Sequence, residues 1–282
     1  MSRKSAALAL LALTVVVGLI AYLAPRTPQP LRYHNFADQR PALGIPNFGD
    51  VVSNLAFAIF GLWGLWFLLR LSPPEIATRF IDSRERWMYV AVFFGMVLTA
   101  AGSSYYHLAP DNHRLVWDRL PMTVVFMSLV AAMIAERISL RGALWLWPLL
   151  LLIGVLSVLQ WHWSEQSGHG DLRFYAAVQV YAVLVLLLVL VLPARYTHGS
   201  YLGVVVGFYV LAKLLETFDK QVFAALGHIV SGHTLKHIVA GFAGYWILRM
   251  LQRREVRPKT SCAPATEDRR PKPNTQDRSP KT

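Results

Sequence analysis

Eight long apolar stretches dominate this sequence and leave few folds open to it. They cover about residues 5–24, 48–71, 87–108, 116–135, 142–160, 174–192, 201–218 and 234–251. Each approaches the roughly 20 residues that a helix needs to cross a bilayer. The run 183–192 is apolar on every face, so it cannot be the wet side of a soluble helix. Trp87, Trp161, Trp163, Tyr175 and Tyr201 gather at the ends of these stretches, where an interfacial aromatic belt belongs. Backbone polar groups in lipid must be satisfied within the segment, which a helix does. The sequence therefore predicts an all-α membrane protein.

Charge then sets the topology. Only 16% of residues are charged, against about a quarter in soluble domains, yet the net charge is +12. Such a balance fits either nucleic acid or a membrane topology signal. Arg79, Arg84 and Arg86 lie between the second and third stretches, and Arg137 and Arg141 between the fourth and fifth. Arg249, Arg253, Arg254, Arg257 and Lys259 follow the last. Cytoplasmic loops carry the Lys and Arg excess, and an even number of spans puts both termini on that side. On this topology the inner segments hold nineteen Lys or Arg against eight Asp or Glu, while the outer side holds eight of each. The basic character is a topology signal, and no nucleic-acid partner is needed. A lone cysteine, Cys262, excludes an intrachain disulfide framework. Collagen-like, coiled-coil and wholly disordered chains are excluded as well.

Three segments follow. Residues 1–30 form an anchor helix and a stiff Pro-rich linker at 25–30; no A-x-A cleavage site follows the apolar run, so the helix is read as retained. Residues 31–252 form the main bundle. Residues 253–282, rich in Pro, Lys and Arg with little to bury, form a disordered basic cytoplasmic tail.

Ionisable residues at membrane depth are functional candidates by default. The third span ends in Gly102-Ser103-Ser104-Tyr105-Tyr106-His107, the fourth opens with Trp117-Asp118-Arg119, and the eighth opens with Gly232-His233-Thr234-Leu235-Lys236-His237. Ser103 and His107 are four apart and share a helix face, as do His233 and His237. The charge-derived orientation brings all three pieces to one layer of the outer leaflet. Three histidines with an open fourth position form a catalytic zinc arrangement, whereas structural zinc closes that position with protein. Asp118 would orient or deprotonate a zinc-bound water, and Ser103 would hold a substrate oxygen or orient a ligand. A helix–helix hydrogen-bond role is the competing reading for each histidine. His34, His113, His162, His169 and His198 read as loop residues, and His228 is intermediate. Lys213 and Glu216 are placed to pair, and Asp219 either supports the site or merely borders it.

The ordered set of Ser103/His107, Asp118 and His233/His237 resembles the alkaline ceramidase family, part of the CREST superfamily that also includes the adiponectin-receptor relatives. The segment Ile45-Pro46-Asn47-Phe48-Gly49-Asp50-Val51-Val52-Ser53-Asn54 resembles the stretch leading into that family's first core helix. The similarity runs from about residue 36 to 251. It implies a seven-transmembrane-helix core bundle with one extra N-terminal transmembrane helix, eight spans in all. It implies Zn2+ held by His107, His233 and His237, with Asp118 and Ser103 at the remaining site positions. The implied reaction is hydrolysis of the N-acyl bond of ceramide or another N-acyl lipid to fatty acid and sphingoid base. Tyr175 is a candidate additional donor. Animal members bind calcium ahead of the first core helix; here Asp38, Asn47 and Asp50 retain oxygen ligands suited to Ca2+, with Asn47 where a glutamate is expected. The bacteria-like features place the chain in an inner membrane. Two alternatives stand beside this reading: a lipid receptor with a structural zinc, and a haem carrier using His107 and His237.

Overall fold

The computed structural model describes residues 2–257. Among them it is helical, with no strand and two isolated bridges, Ala42 to Ile45 and Tyr196 to Val256. The helices are α1 (Arg3–Leu23), α2 (Phe48–Ser53), α3 (Leu55–Arg70), α4 (Pro73–Arg79), α5 (Glu85–Leu108), α6 (Asn112–Arg137), α7 (Leu140–Gln166), α8 (Arg173–Leu190), α9 (Tyr201–Thr217), α10 (Asp219–Ala225) and α11 (Gly232–Arg253). The expected disordered tail falls mostly outside the described residues, as does Cys262.

Six helical segments are long and apolar enough to cross a membrane, and seven if α9 and α10, bent by 83° at Phe218, count as one span. The sequence expectation was eight. The difference lies in α11. Its 22 residues span about 33 Å, but His233, Lys236, His237 and Arg249 dilute its apolarity. Packing explains that composition: α11 lies against α3 and α9, and its histidine end is buried. The second stretch is broken once, at Asn54, whose side-chain amide donates to the Asp50 carbonyl at 2.8 Å.

The core joins Met88, Val92 and Phe93 of α5 to Val130 and Met133 of α6, Val185 and Val189 of α8, and Leu248 and Leu251 of α11. Leu62, Trp66 and Leu69 on α3 and Leu149, Leu152 and Leu156 on α7 face outward and exposed, as lipid-facing residues of a multi-pass protein do. Without a water-driven hydrophobic force between helices, small residues set the closest approaches. A Cβ on Gly241 would stand 2.6 Å from that of Ala56, so α11 meets α3 there nearly backbone to backbone. A Cβ on Gly102 would stand 1.9 Å from the Trp117 carbonyl oxygen. That carbonyl has lost its helical partner, because Pro121 lacks the N–H that would reach back to it. The α5–α6 contact is thus tightest beside Ser103 and Asp118.

α1 lies against α8, with Thr14 and Tyr181 hydroxyls 3.1 Å apart. The Pro-rich linker does more than connect. Leu172 N–H donates to Thr27, and Gln29 N–H to Glu165, so the linker is strapped across the α7–α8 end of the bundle.

The opposite end is closed by buried charge. Arg254, just past α11, is 1% exposed and stacks against Phe80, Tyr89 and Tyr196 at 4.3, 4.9 and 4.4 Å. It pairs with Glu136 at 3.5 Å, and Tyr196 donates to Glu85 at 2.7 Å. Arg254→Ala would remove the cation beside Glu85 and leave Glu136 with Arg137 alone, 3.4 Å away. Breaking a buried pair from one side costs about 3–5 kcal/mol, and a thermal unfolding shift of that size is expected in detergent. A change below about 1 kcal/mol would mean the cluster carries little of the fold.

Candidate metal centre

The three sequence-distant pieces meet. His107 comes from the last turn of α5, and His233 and His237 from the first two turns of α11; all three are buried. Their ring centroids form a nearly regular triangle with sides of 4.9, 5.0 and 4.9 Å. One nitrogen from each lies within 4.8 Å of the others, and His107 Nε2 is 3.3 Å from His233 Nε2. Among the described residues this is the one group of three or more His, Cys, Asp or Glu side chains that can hold a metal ion.

The donor set fits such an ion. Two imidazole nitrogens at 3.3 Å must share either a proton or a cation, since two lone pairs facing each other repel. A tetrahedral ion with bonds of about 2.0–2.1 Å spaces its nitrogens about 3.3–3.4 Å apart. His237 Nδ1 is 2.9 Å from Ser53 Oγ, which donates to the Asp50 carbonyl. The Nδ1 therefore carries the proton, and Nε2 is left as the free donor. His107 Nδ1 meets no hydrogen-bond partner.

The segment at 47–54 frames the histidines. Asn47 donates to the His107 backbone carbonyl at 2.8 Å, and Ser53 orients His237. Asp50 Oδ1 accepts from Thr234 at 2.7 Å and from Ser231 at 3.4 Å. Ser231 is the N-cap of α11, accepting from Thr234 N–H, so the Asp50 carboxylate sits at a helix start whose free N–H groups favour a negative charge. These partners bear on the calcium expectation. Asp38 is engaged by Arg40 through both carboxylate oxygens, each at 2.7 Å, and the Arg40 hydrogen bonds hold its carboxyl below the usual range. Asp38, Asn47 and Asp50 each meet protein partners, while Asp50 Oδ2 is buried with none.

Asp118, on α6, and Ser103, on α5, are both buried. Together with His237 they line one end of a cavity of about 320 Å³. From there the cavity follows α6 to Leu129 and α11 to Ile247. Eleven residues of helix make that reach about 16 Å. Tyr175 also lines the cavity and accepts from Gln179.

Two residues that residue-by-residue reading left aside or undecided hold the cluster in place. Phe36 lies 4.7 Å from the His107 ring and 4.4 Å from the His233 ring, covering both. Asp219, undecided from sequence, accepts from His233 N–H at 2.7 Å and from Ala37 N–H at 2.8 Å. One carboxylate thereby positions a histidine and the residue next to its aromatic cover. Its place one residue past the apolar stretch at 201–218 is the only signal the sequence offers. Asp219→Ala is expected to weaken metal binding about 10–100-fold, read by competition with a chelator. Unchanged affinity would mean that Ser231 alone fixes the start of α11. His34 binds Tyr106 and Asn112 at 2.7 and 2.9 Å, and exposed His228 is outside the cluster. Lys213 and Glu216 do pair, and Lys236 joins them.

No protein-family model matches the chain, and no curated protein matches it in sequence.

Proposed function

We propose that this protein is a zinc-dependent amide hydrolase of the membrane, cleaving the N-acyl bond of ceramide or another N-acyl lipid to release a fatty acid and an amine. One observation carries the reading: His237, one of three convergent histidines, lines the polar end of a long apolar cavity whose wall also presents Asp118 and Ser103. A metal site alone would fit a structural role. A metal site that opens onto a slot about 16 Å deep suits a reacting group attached to an acyl chain.

Within this reading the acyl chain lies along Val125, Leu129 and Ile247, and the scissile amide stands beside His237 and Asp118. Zinc held by His107, His233 and His237 supplies Lewis acidity and an activated water. Asp118 takes the proton of the attacking water at its carboxylate and returns it to the departing amine nitrogen. Water adds to the carbonyl carbon, the C–N bond breaks, and acid and amine leave. Phe36 keeps bulk water from the histidines. In this reading both termini lie on the cytoplasmic side and the site faces the outer leaflet of a bacterial inner membrane, with α11 as a further span; the Lys and Arg excess of the inner segments supports that orientation.

Fatty-acid release from a panel of N-acyl lipids, using zinc-loaded protein in detergent or nanodiscs, tests the proposal. Release from at least one lipid, lost on chelation, is the expected result. Stoichiometric zinc with no release from any of them would favour a lipid-binding protein with a structural metal.

A further inference from the structure

Beside Asp118 on α6 stands Arg119, a buried cation for which the reaction above has no use. It is 4% exposed and lines the same cavity. Its guanidinium lies 4.1 Å from the Trp161 ring, 4.5 Å from Tyr175 and 5.6 Å from Tyr33. Nη2 donates to Gln29 at 2.6 Å, whereas Nη1 is buried with no hydrogen-bond partner. No carboxylate lies within ion-pair distance of the guanidinium among the described residues. Arginine cannot escape this cost by losing its proton, and a buried charge without a partner is among the most expensive groups a fold can hold.

The other charges at this end of the cavity are already matched. Lys236 bonds Glu216 Oε1 at 2.6 Å and Lys213 bonds Oε2 of the same carboxylate, while Asp118 lies within electrostatic reach of both Lys236 and Arg119 without an ion pair to either. Three cations thus face two carboxylates across the cavity, and the unmatched donor is Arg119. A residue needed only to stack the linker on Trp161 would be served by a neutral side chain that leaves no orphaned N–H.

We propose that Arg119 binds an oxyanion on the lipid head group, a carboxylate or a phosphate, so that the substrates are acidic N-acyl lipids rather than neutral ones. This rests on the reading that the cavity holds an N-acyl lipid. The two residues divide the work by position: Asp118 faces the amide, and Arg119, one residue on, takes the acid a few bonds away. A planar guanidinium with a free N–H is suited to charge-assisted hydrogen bonds with such an oxyanion.

Equilibrium binding to the full-length protein in phosphatidylcholine nanodiscs tests this. The ligands share one acyl chain: N-palmitoylglycine, N-palmitoyl phosphoethanolamine, neutral N-palmitoylethanolamine, and palmitic acid as the product arm. The expected result is that at least one of the two acidic amides binds about tenfold or more tighter than the ethanolamide, as a charge-assisted contact in a buried site provides. The better of the two shows which oxyanion is preferred. Arg119→Gln should cut the preference to less than about twofold, and Arg119→Lys should keep part of it. Equal affinities in the wild type would overturn the proposal, and so would a preference that survives in Arg119→Gln. Arg119-dependent binding of palmitic acid without any preference among the amides would also overturn it, because the site would then take the product. If Arg119→Gln does not fold, the wild-type ratios and Arg119→Lys decide. Fatty-acid release is followed in parallel. Preference without release removes the hydrolase reading and leaves this one, whereas release without preference does the reverse.

Discussion

His233→Ala is expected to abolish both stoichiometric zinc and fatty-acid release, with activity falling at least about 10³-fold. His107 Nε2 and His233 Nε2 are the closest donor pair, 3.3 Å apart, and removing either leaves two imidazoles and no tetrahedral set. The helix itself should survive the change. Ser231 still caps α11, Thr234 still reaches Asp50, and Asp219 still accepts from the backbone N–H of residue 233. Thermal unfolding of the metal-free protein should therefore differ little between variant and wild type, while unfolding of the metal-loaded proteins should differ strongly, since metal bound only to the native state stabilises it. Retained zinc in the variant would place the ion elsewhere.

Asp118→Asn should give the complementary result: zinc retained, with turnover reduced about 10²–10⁴-fold. Asparagine has nearly the same size and shape as aspartate, so the local packing is preserved. It cannot take up a proton. KM should change little, because the acyl cavity is untouched. Loss of zinc in Asp118→Asn would make Asp118 a ligand, although the three histidines, without it, are the group whose donors converge.

What could be read from sequence, and what could not, follows from the range of the forces involved. Apolar runs report their lipid exposure residue by residue, so α1, α5, α6, α7 and α8 lie close to where hydropathy places them. The i, i+4 pairs Ser103/His107 and His233/His237 are local, and the charge-derived orientation was enough to bring them to one end of the bundle. α11 shows the limit. Hydropathy alone marks its polar residues as a defect in a span, while the structure shows them facing buried partners. The bend at Phe218 and the short α10 were not visible either, because nothing local distinguishes residues 219–225 from a loop. Long-range contacts were the least legible. Phe36 covers His107 and His233 from 71 and 197 positions away in the chain, and no period or motif encodes that. Ser53 and Asn47 lay within the segment at 45–54 that resembles a known family, but only the fold shows that one orients His237 and the other fixes the His107 carbonyl. Arg119 was passed over beside Asp118 because its missing counter-ion is a property of the packed site, not of the sequence.

The central claim is that three histidines hold a zinc ion with one position left open. X-ray absorption at the zinc edge of the purified full-length protein tests this most directly. The account predicts three imidazole nitrogens at about 2.0–2.1 Å and a single non-protein oxygen completing the tetrahedron. A coordination shell closed by a fourth protein ligand, or a protein that binds no zinc in stoichiometric amount, would contradict it.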